Sequence, residues 1–175
     1  MTNTSTLTLT GVAYRCQQET ARFWQQLVYD PTYCFELFHR ALSQPSLEHS
    51  KQAWTYIHQQ YHRQVMLWVK RHQLFTQTGL EPDVLANLAL EKMWLSFASD
   101  TDKLAKFPLS DPDRCLKSLL RFLQMCVHSV VVDTFAAAAR AQETVDVAAA
   151  TALATAHTDP VMAEEFWHQI AASSQ

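Results

Sequence analysis

Two glycines in 175 residues are too few for a chain built of strands. Sheets and hairpins need glycine where φ turns positive, and this chain is rich instead in Leu, Ala, Gln and Glu, the stronger helix formers. An all-α fold is expected. The same scarcity removes whole classes of chemistry, because phosphate-cradling loops, dinucleotide fingerprints and the nucleophile elbow are glycine motifs. An enzyme is therefore not expected, and neither is a cofactor.

Other absences narrow the field further. Cys16, Cys34, Cys115 and Cys126 form no CxxC pair, which argues against a zinc ribbon or a thioredoxin-like motif and leaves buried thiols in a reducing cytoplasm as the expectation. The opening MTNTSTLTLTG is polar and Thr-rich, without the basic start or apolar run of a signal peptide. No stretch reads as the ~20 apolar residues of a membrane span. A soluble cytoplasmic protein with no membrane partner is expected. A surplus of positive charge is missing too: the net charge of −3 argues against coating nucleic acid by bulk electrostatics. Any such contact must be local.

What the chain does have is helical periodicity, and 48% apolar content is enough for one core. The expected division is a flexible tail over 1–12, a helical domain over 13–140, an Ala/Thr-rich linker or weak helix over 141–158 and a C-terminal helix over 159–175. Within the domain, Phe23, Trp24, Leu27 and Val28 recur at helical spacing between Tyr14 and Tyr29. Asp30 and Pro31 open a helix to about Ser43, with Cys34, Leu37, Phe38 and Ala41 on its inner side. Leu47 to His72 carries the stripe Trp54, Ile57, Tyr61, Val65, Trp68 and His72. From Glu81 to Ala98, Val84, Leu85, Leu88, Met93, Trp94, Leu95 and Phe97 cover more than one face, so this helix is either central or covered by a second protein. In the last segment, Met162, Phe166, Trp167 and Ile170 share one side.

The stretch from Asp111 to Arg140 organises the rest. Asp111 and Pro112 are a cap and a first helical residue. At about 100° per residue, Leu116, Leu119, Leu120, Leu123, Cys126, Val127 and Val130 gather on one side, and Arg114, Lys117, Arg121, Gln124 and His128 on the other. The first stripe belongs in a core. The second lies along a phosphate backbone or faces water.

Metal chemistry has weaker anchors. His58 and His62 stand one turn apart, as metal ligands on a helix do, but the segment lacks the Glu of a metalloprotease. Two Glu-x-x-His pairs, Glu36 with His39 and Glu165 with His168, match part of a di-metal bundle, yet both fall on the polar sides of their helices. No metal site is expected from either, and exposed i,i+3 partners are the better reading.

Read together, the last two helices of the domain resemble region 2 of bacterial RNA polymerase sigma factors, especially the extracytoplasmic-function type. Members show something like D-L-x-Q-E-x-F-x-x-x-W in the first helix, against Val84-Leu85-Ala86-Asn87-Leu88-Ala89-Leu90-Glu91-Lys92-Met93-Trp94 here. The second runs close to W-L-x-x-I-A-x-N-x-x-x-D-x-x-R, and Phe122-Leu123 through Val127, Ser129 and Asp133 follows that spacing. The resemblance covers about Phe35 to Arg140 and implies a compact helical bundle with extra N-terminal and C-terminal helices.

It also implies a transcription initiation factor that binds core RNA polymerase and contacts the promoter −10 element during DNA melting. Leu85, Asn87, Leu88, Glu91, Lys92 and Met93 would meet the clamp helices of the polymerase's largest subunit. Lys103, Lys106 and Phe107 would line the loop pocket, and Arg114, Lys117, Arg121, Gln124 and His128 would track the single-stranded non-template strand. Three departures stand out. Thr134-Phe135-Ala136-Ala137-Ala138-Ala139 replaces the arginine run that normally follows, Val84 and Leu88 replace an acidic pair, and no helix-turn-helix follows Arg140. The resemblance thus implies an inhibitor or recruiting protein as a further partner. The alternative is a sigma-derived interaction module, a regulator or adaptor, that has lost promoter recognition.

Overall fold

Thr8 caps the start of the first helix. In the computed structural model, which describes residues 7–43, 47–99 and 112–156, the Thr8 hydroxyl accepts the Gly11 N–H at 3.2 Å and α1 runs Leu9–Trp24. The expected tail over 1–12 is corrected there, because residues 9–12 are helical and Val12 is fully buried. After α1 come α2 (Thr32–Leu42), α3 (Glu48–Arg71), a single 3₁₀ turn at Phe75–Gln77, α4 (Pro82–Ala98) and α5 (Pro112–Ala156). The described residues are helix and connecting turns throughout, as the glycine count demands.

The connections explain how the helices meet. Gln26 adopts φ 59°, and the N–H groups of Gln26 and Leu27 return to the carbonyls of Phe23 and Arg22. That is the left-handed stop that closes a helix, here built without glycine. Glu19, buried in α1, accepts the Asp30 N–H at 2.8 Å, and Asp30 accepts the Thr32 N–H at 3.0 Å as α2 begins. Gly79, at φ 69°, turns the chain toward Pro82, the first residue of α4.

Packing joins α1 to α2 and α3, α2 to α3 and α4, and α3 to α4. On α3 the buried row is Ala53, Ile57, Tyr61, Val65 and Val69, a strict four-residue spacing. Trp54 and Trp68 stand beside that row, half-buried. On α5 every position of the apolar stripe named from the sequence is buried, with Val131 added. Phe97 of α4 meets Phe122 of α5 edge-on, with centroids 5.5 Å apart. Each fully enclosed Leu or Phe side chain in this core contributes roughly 1.5–3 kcal/mol.

Two of the expected thiols are not thiols. Cys16 of α1 and Cys34 of α2 form a disulfide, their Cα atoms 4.4 Å apart, while Cys126 is a buried free cysteine. A separation of 18 residues with no CxxC gave no sign of the pairing. Beside it, the Thr20 hydroxyl accepts Gln60 Nε2–H at 2.8 Å and lies 3.0 Å from the Tyr61 hydroxyl. Burial pushes the Tyr61 phenol up to about 12, so it stays protonated within this network.

Residues Met1–Phe135 form one compact unit and Ala136–Gln175 another. In the second unit the helix continues through Ala156, where a linker or weak helix was expected, and residues 141–149 are exposed. Intrahelical bonds from Thr144 Oγ1 to the Arg140 carbonyl and from Gln142 Nε2 to Asp146 Oδ1 accompany it. The expected C-terminal helix over 159–175 lies outside the described residues. One further expectation changes: a stretch of α5 within Leu116–Ala149 is, by length and composition alone, apolar enough to cross a membrane. Leu116, Leu119, Leu123, Val127 and Val131 of this helix are buried against protein, while 28% of the apolar window as a whole is buried.

Candidate nucleic-acid groove

The polar face of α5 repeats every three or four residues, and this spacing places Lys117, Arg121, Gln124 and His128 along one wall of a groove of about 450 Å³. Leu120 and Met125 complete that wall. The opposite wall comes from elsewhere in the chain: Phe23 and Trp24 from the last turn of α1, and Trp68 from α3. The left-handed stop at Gln26 and the Glu19 bond to Asp30 fix the turn that carries the first two. Phe23 meets Trp24 and Tyr29 edge-on, with centroids 4.9 and 5.2 Å apart, and Trp24 meets Trp68 at 6.4 Å and 71°. Trp24 remains 44% exposed, which leaves aromatic surface open to a ligand.

Lys117 and Arg121 are exposed, and neither takes part in an ion pair among the described residues. Their charge is available. At one end, His72, the C-cap residue of α3, lies with Nε2 3.0 Å from His128 Nδ1. Because His72 Nδ1 accepts the Leu74 N–H at 3.3 Å, its proton sits on Nε2 and is donated to His128. Burial first, and the neighbouring His128 second, hold the His72 imidazole below its ordinary value. Cations beside aromatic faces in a groove are the elements from which single-stranded nucleic-acid sites are built.

The other expected DNA contacts are divided. Arg114 is exposed one turn before Lys117 and does not line the groove; Lys103, Lys106 and Phe107 lie outside the described residues. Sequence reasoning missed Trp24, Trp68 and Phe23 as walls. Trp24, Leu27 and Val28 were read only as apolar positions recurring at helical spacing, and they are 44%, 55% and 93% exposed.

The expected polymerase-contact residues on α4 also separate. Leu85 and Met93 are fully buried and have no surface to offer, which corrects the expectation for those two. They turn inward because their positions, with Ala86, Ala89, Leu90 and Phe97, make up the core stripe. The outward row is Val84, Leu88 and Leu95, 39–55% exposed, with Glu91 between. Asn87 is exposed but bonded to His58 and Asp83. Lys92 reaches across to α5, donating to Ser129 Oγ at 2.6 Å and Asp133 Oδ2 at 2.9 Å. This bond first, and the lysine's charge second, hold the Asp133 carboxyl below its ordinary value. A groove of about 770 Å³ lies along Leu88, Lys92, Leu95, Val130 and Asp133.

Of the paired residues weighed for metals, Glu36 holds Arg40 at 2.8 Å and His39 lies against Phe35, while Glu165 and His168 lie outside the described residues. No known protein family, curated protein or solved structure matches the chain.

Proposed function

We infer that the chain is a sigma-like transcription initiation factor: it binds core RNA polymerase through the outward row of α4 and holds single-stranded promoter DNA in the groove between α1, α3 and α5. One observation carries the DNA half of this reading. Lys117 and Arg121, in no ion pair among the described residues, line a groove of about 450 Å³ together with Trp24 and Trp68. Cations neutralise phosphates, and indole faces stack unpaired bases without regard to sequence. The polymerase half rests on Val84, Leu88 and Leu95, which leave apolar surface exposed on one helix. The second reading keeps that surface and drops the groove, leaving a helical interaction module. It is favoured by the alanines that follow Asp133 where a row of cations would be needed.

The test uses the whole chain. Fluorescence anisotropy with labelled single-stranded and duplex oligonucleotides, at two salt concentrations, is combined with co-elution on bacterial core RNA polymerase. Preference for the single strand that falls steeply with salt, together with polymerase binding, supports the first reading. Polymerase binding with no DNA affinity selects the interaction module, and binding to neither removes both.

A further inference from the structure

The sulfur atoms that join α1 to α2 are set among hydrogen-bonding groups that a cross-link does not need. Gln60 Nε2–H donates to Cys16 Sγ at 3.3 Å, and the Tyr61 hydroxyl lies 3.8 Å from the same sulfur. The Thr20 hydroxyl lies 3.3 Å from Cys34 Sγ, and the Cys16 carbonyl oxygen lies 3.1 Å from it. A disulfide sulfur has no proton to donate and accepts only weakly, so these groups do little for the oxidised pair. A thiol does have a proton. Once Cys34 is reduced, its S–H meets an acceptor in the Cys16 carbonyl, and the Cys16 sulfur keeps the Gln60 amide. The surroundings of the pair provide for both oxidation states.

The chain between the two cysteines carries one wall of the groove. A separation of 18 positions takes in the last turns of α1, the left-handed Gln26 and the Asp30 N–H that binds Glu19. Phe23 and Trp24 lie within it and line the groove. With the disulfide in place both ends of this segment are tied, which removes conformational freedom from it. With the disulfide reduced, the segment relies on its packing and on the Glu19–Asp30 bond.

On the function inferred above, we propose that Cys16–Cys34 is a reversible redox switch for the groove: the disulfide orders the wall that carries Phe23 and Trp24, and reduction loosens that wall and weakens the hold on single-stranded nucleic acid. A protein that works beside core polymerase meets a reducing cytoplasm, where lasting disulfides are rare and those that form usually sense redox state. The reductant is a thiol of the glutathione or thioredoxin class. One of its thiolates attacks a cysteine sulfur, the S–S bond breaks and a mixed disulfide forms; a second thiolate then displaces the cysteine, and the reductant leaves as its own disulfide. Two electrons pass to the pair, and the two protons lost by the reductant end on Cys16 and Cys34. Both sulfurs are buried, so exchange proceeds through a local opening of α1 from α2.

Full-length protein is prepared oxidised and reduced. In each state thiols are counted by alkylation and mass spectrometry, hydrogen exchange is measured along the chain, and affinity for a labelled single-stranded oligonucleotide is read by anisotropy. Dithiothreitol under native conditions should expose two further thiols with the helical circular dichroism retained, speed exchange across residues 17–33 while leaving α4 unchanged, and weaken single-strand binding about fivefold, the lower value of one stacked base. Oxidised glutathione should restore all three. Cys16→Ser and Cys34→Ser should each behave as the reduced protein under either condition. A disulfide that yields only when the protein unfolds overturns the proposal, as does a reduced protein whose exchange over 17–33 is unchanged, and neither result depends on a variant. Equal, measurable single-strand affinity in both states overturns it too. A chain that binds no oligonucleotide in either state removes the DNA reading instead, and the exchange over 17–33 then decides the switch by itself.

Discussion

The two grooves flanking α5 share a helix and differ in what their cations do. In the groove of α1, α3 and α5, Lys117 and Arg121 are exposed, take part in no ion pair among the described residues, and share the lining with tryptophans. In the groove of α4 and α5, Lys92 is committed to Ser129 and Asp133, and the remaining surface is mostly apolar. A cation already hydrogen-bonded to a carboxylate has little charge left for a phosphate; a cation facing water keeps it all. On the reading proposed above, the first groove holds the polyanion and the second meets the protein partner.

Removing charge from each side tests this division most strongly. The double variant Lys117→Ala, Arg121→Ala should lose about 3 kcal/mol of single-strand affinity, at roughly 1.5 kcal/mol for each charged contact. The slope of log affinity against log salt should become shallower by about 1.4. Its thermal midpoint should stay near that of the unaltered protein, since neither side chain is buried. Lys92→Ala should do the reverse, leaving DNA affinity in place and lowering the midpoint slightly. Equal loss of DNA affinity in both variants would erase the distinction between the grooves.

The aromatic wall comes next. Trp24→Ala should weaken single-strand binding by about 1–3 kcal/mol, the value of one stacked base, while leaving the salt slope unchanged. Anisotropy at several salt concentrations separates this behaviour from that of the charge variants. A Trp24→Ala protein that binds DNA normally would mean that no base stacks on Trp24.

A smaller effect probes the turn that positions this wall. Gln26 adopts φ 59° where a side chain is strained by about 1–2 kcal/mol, while glycine there gives back about 0.5–1 kcal/mol in backbone entropy. Gln26→Gly should therefore stabilise the fold by about 0.5–1 kcal/mol in chemical denaturation. Gly79→Ala is the opposite case. At φ +69° with open space around a new Cβ, it carries only the backbone strain and should destabilise by about 1 kcal/mol.

How much of this was legible in the sequence follows from what each signal measures. The apolar stripe of α5 could be read residue by residue, because helical periodicity depends only on local geometry and Leu116 through Val130 obey it. The cations opposite were legible for the same reason. The tryptophans were not: Trp24 and Trp68 lie at the margins of their stripes, and a margin becomes core or groove wall only when a third helix arrives beside it. Leu85 and Met93 show the converse, since a helix apolar on several sides does not announce which side is inward. The Cys16–Cys34 pair and the meeting of His62 with Asp83 are contacts between helices, and no periodicity within one helix encodes them.

Acidity offers the gentlest way to separate the two sides, because their titrating groups respond in different windows. His72, held below its ordinary value of 6.5 by burial and by His128, takes up a proton more readily in the unfolded chain than in the folded one. Its contribution to stability is therefore full above pH 6.5 and is lost as pH falls through the folded value. Asp133 is likewise depressed, by Lys92, from an ordinary value of 3.8, so its contribution is full above pH 3.8 and disappears only in stronger acid. Thermal midpoints measured between pH 7.5 and about 5 should thus report the histidine end of the first groove while the Lys92 tie is intact. His128→Ala removes the neighbouring ring, so the His72 resonances followed by NMR should titrate at higher pH and the midpoint should depend less on pH across that range. An unchanged His72 titration in that variant would mean that burial alone sets its proton affinity, and that the two rings at the end of the groove act independently.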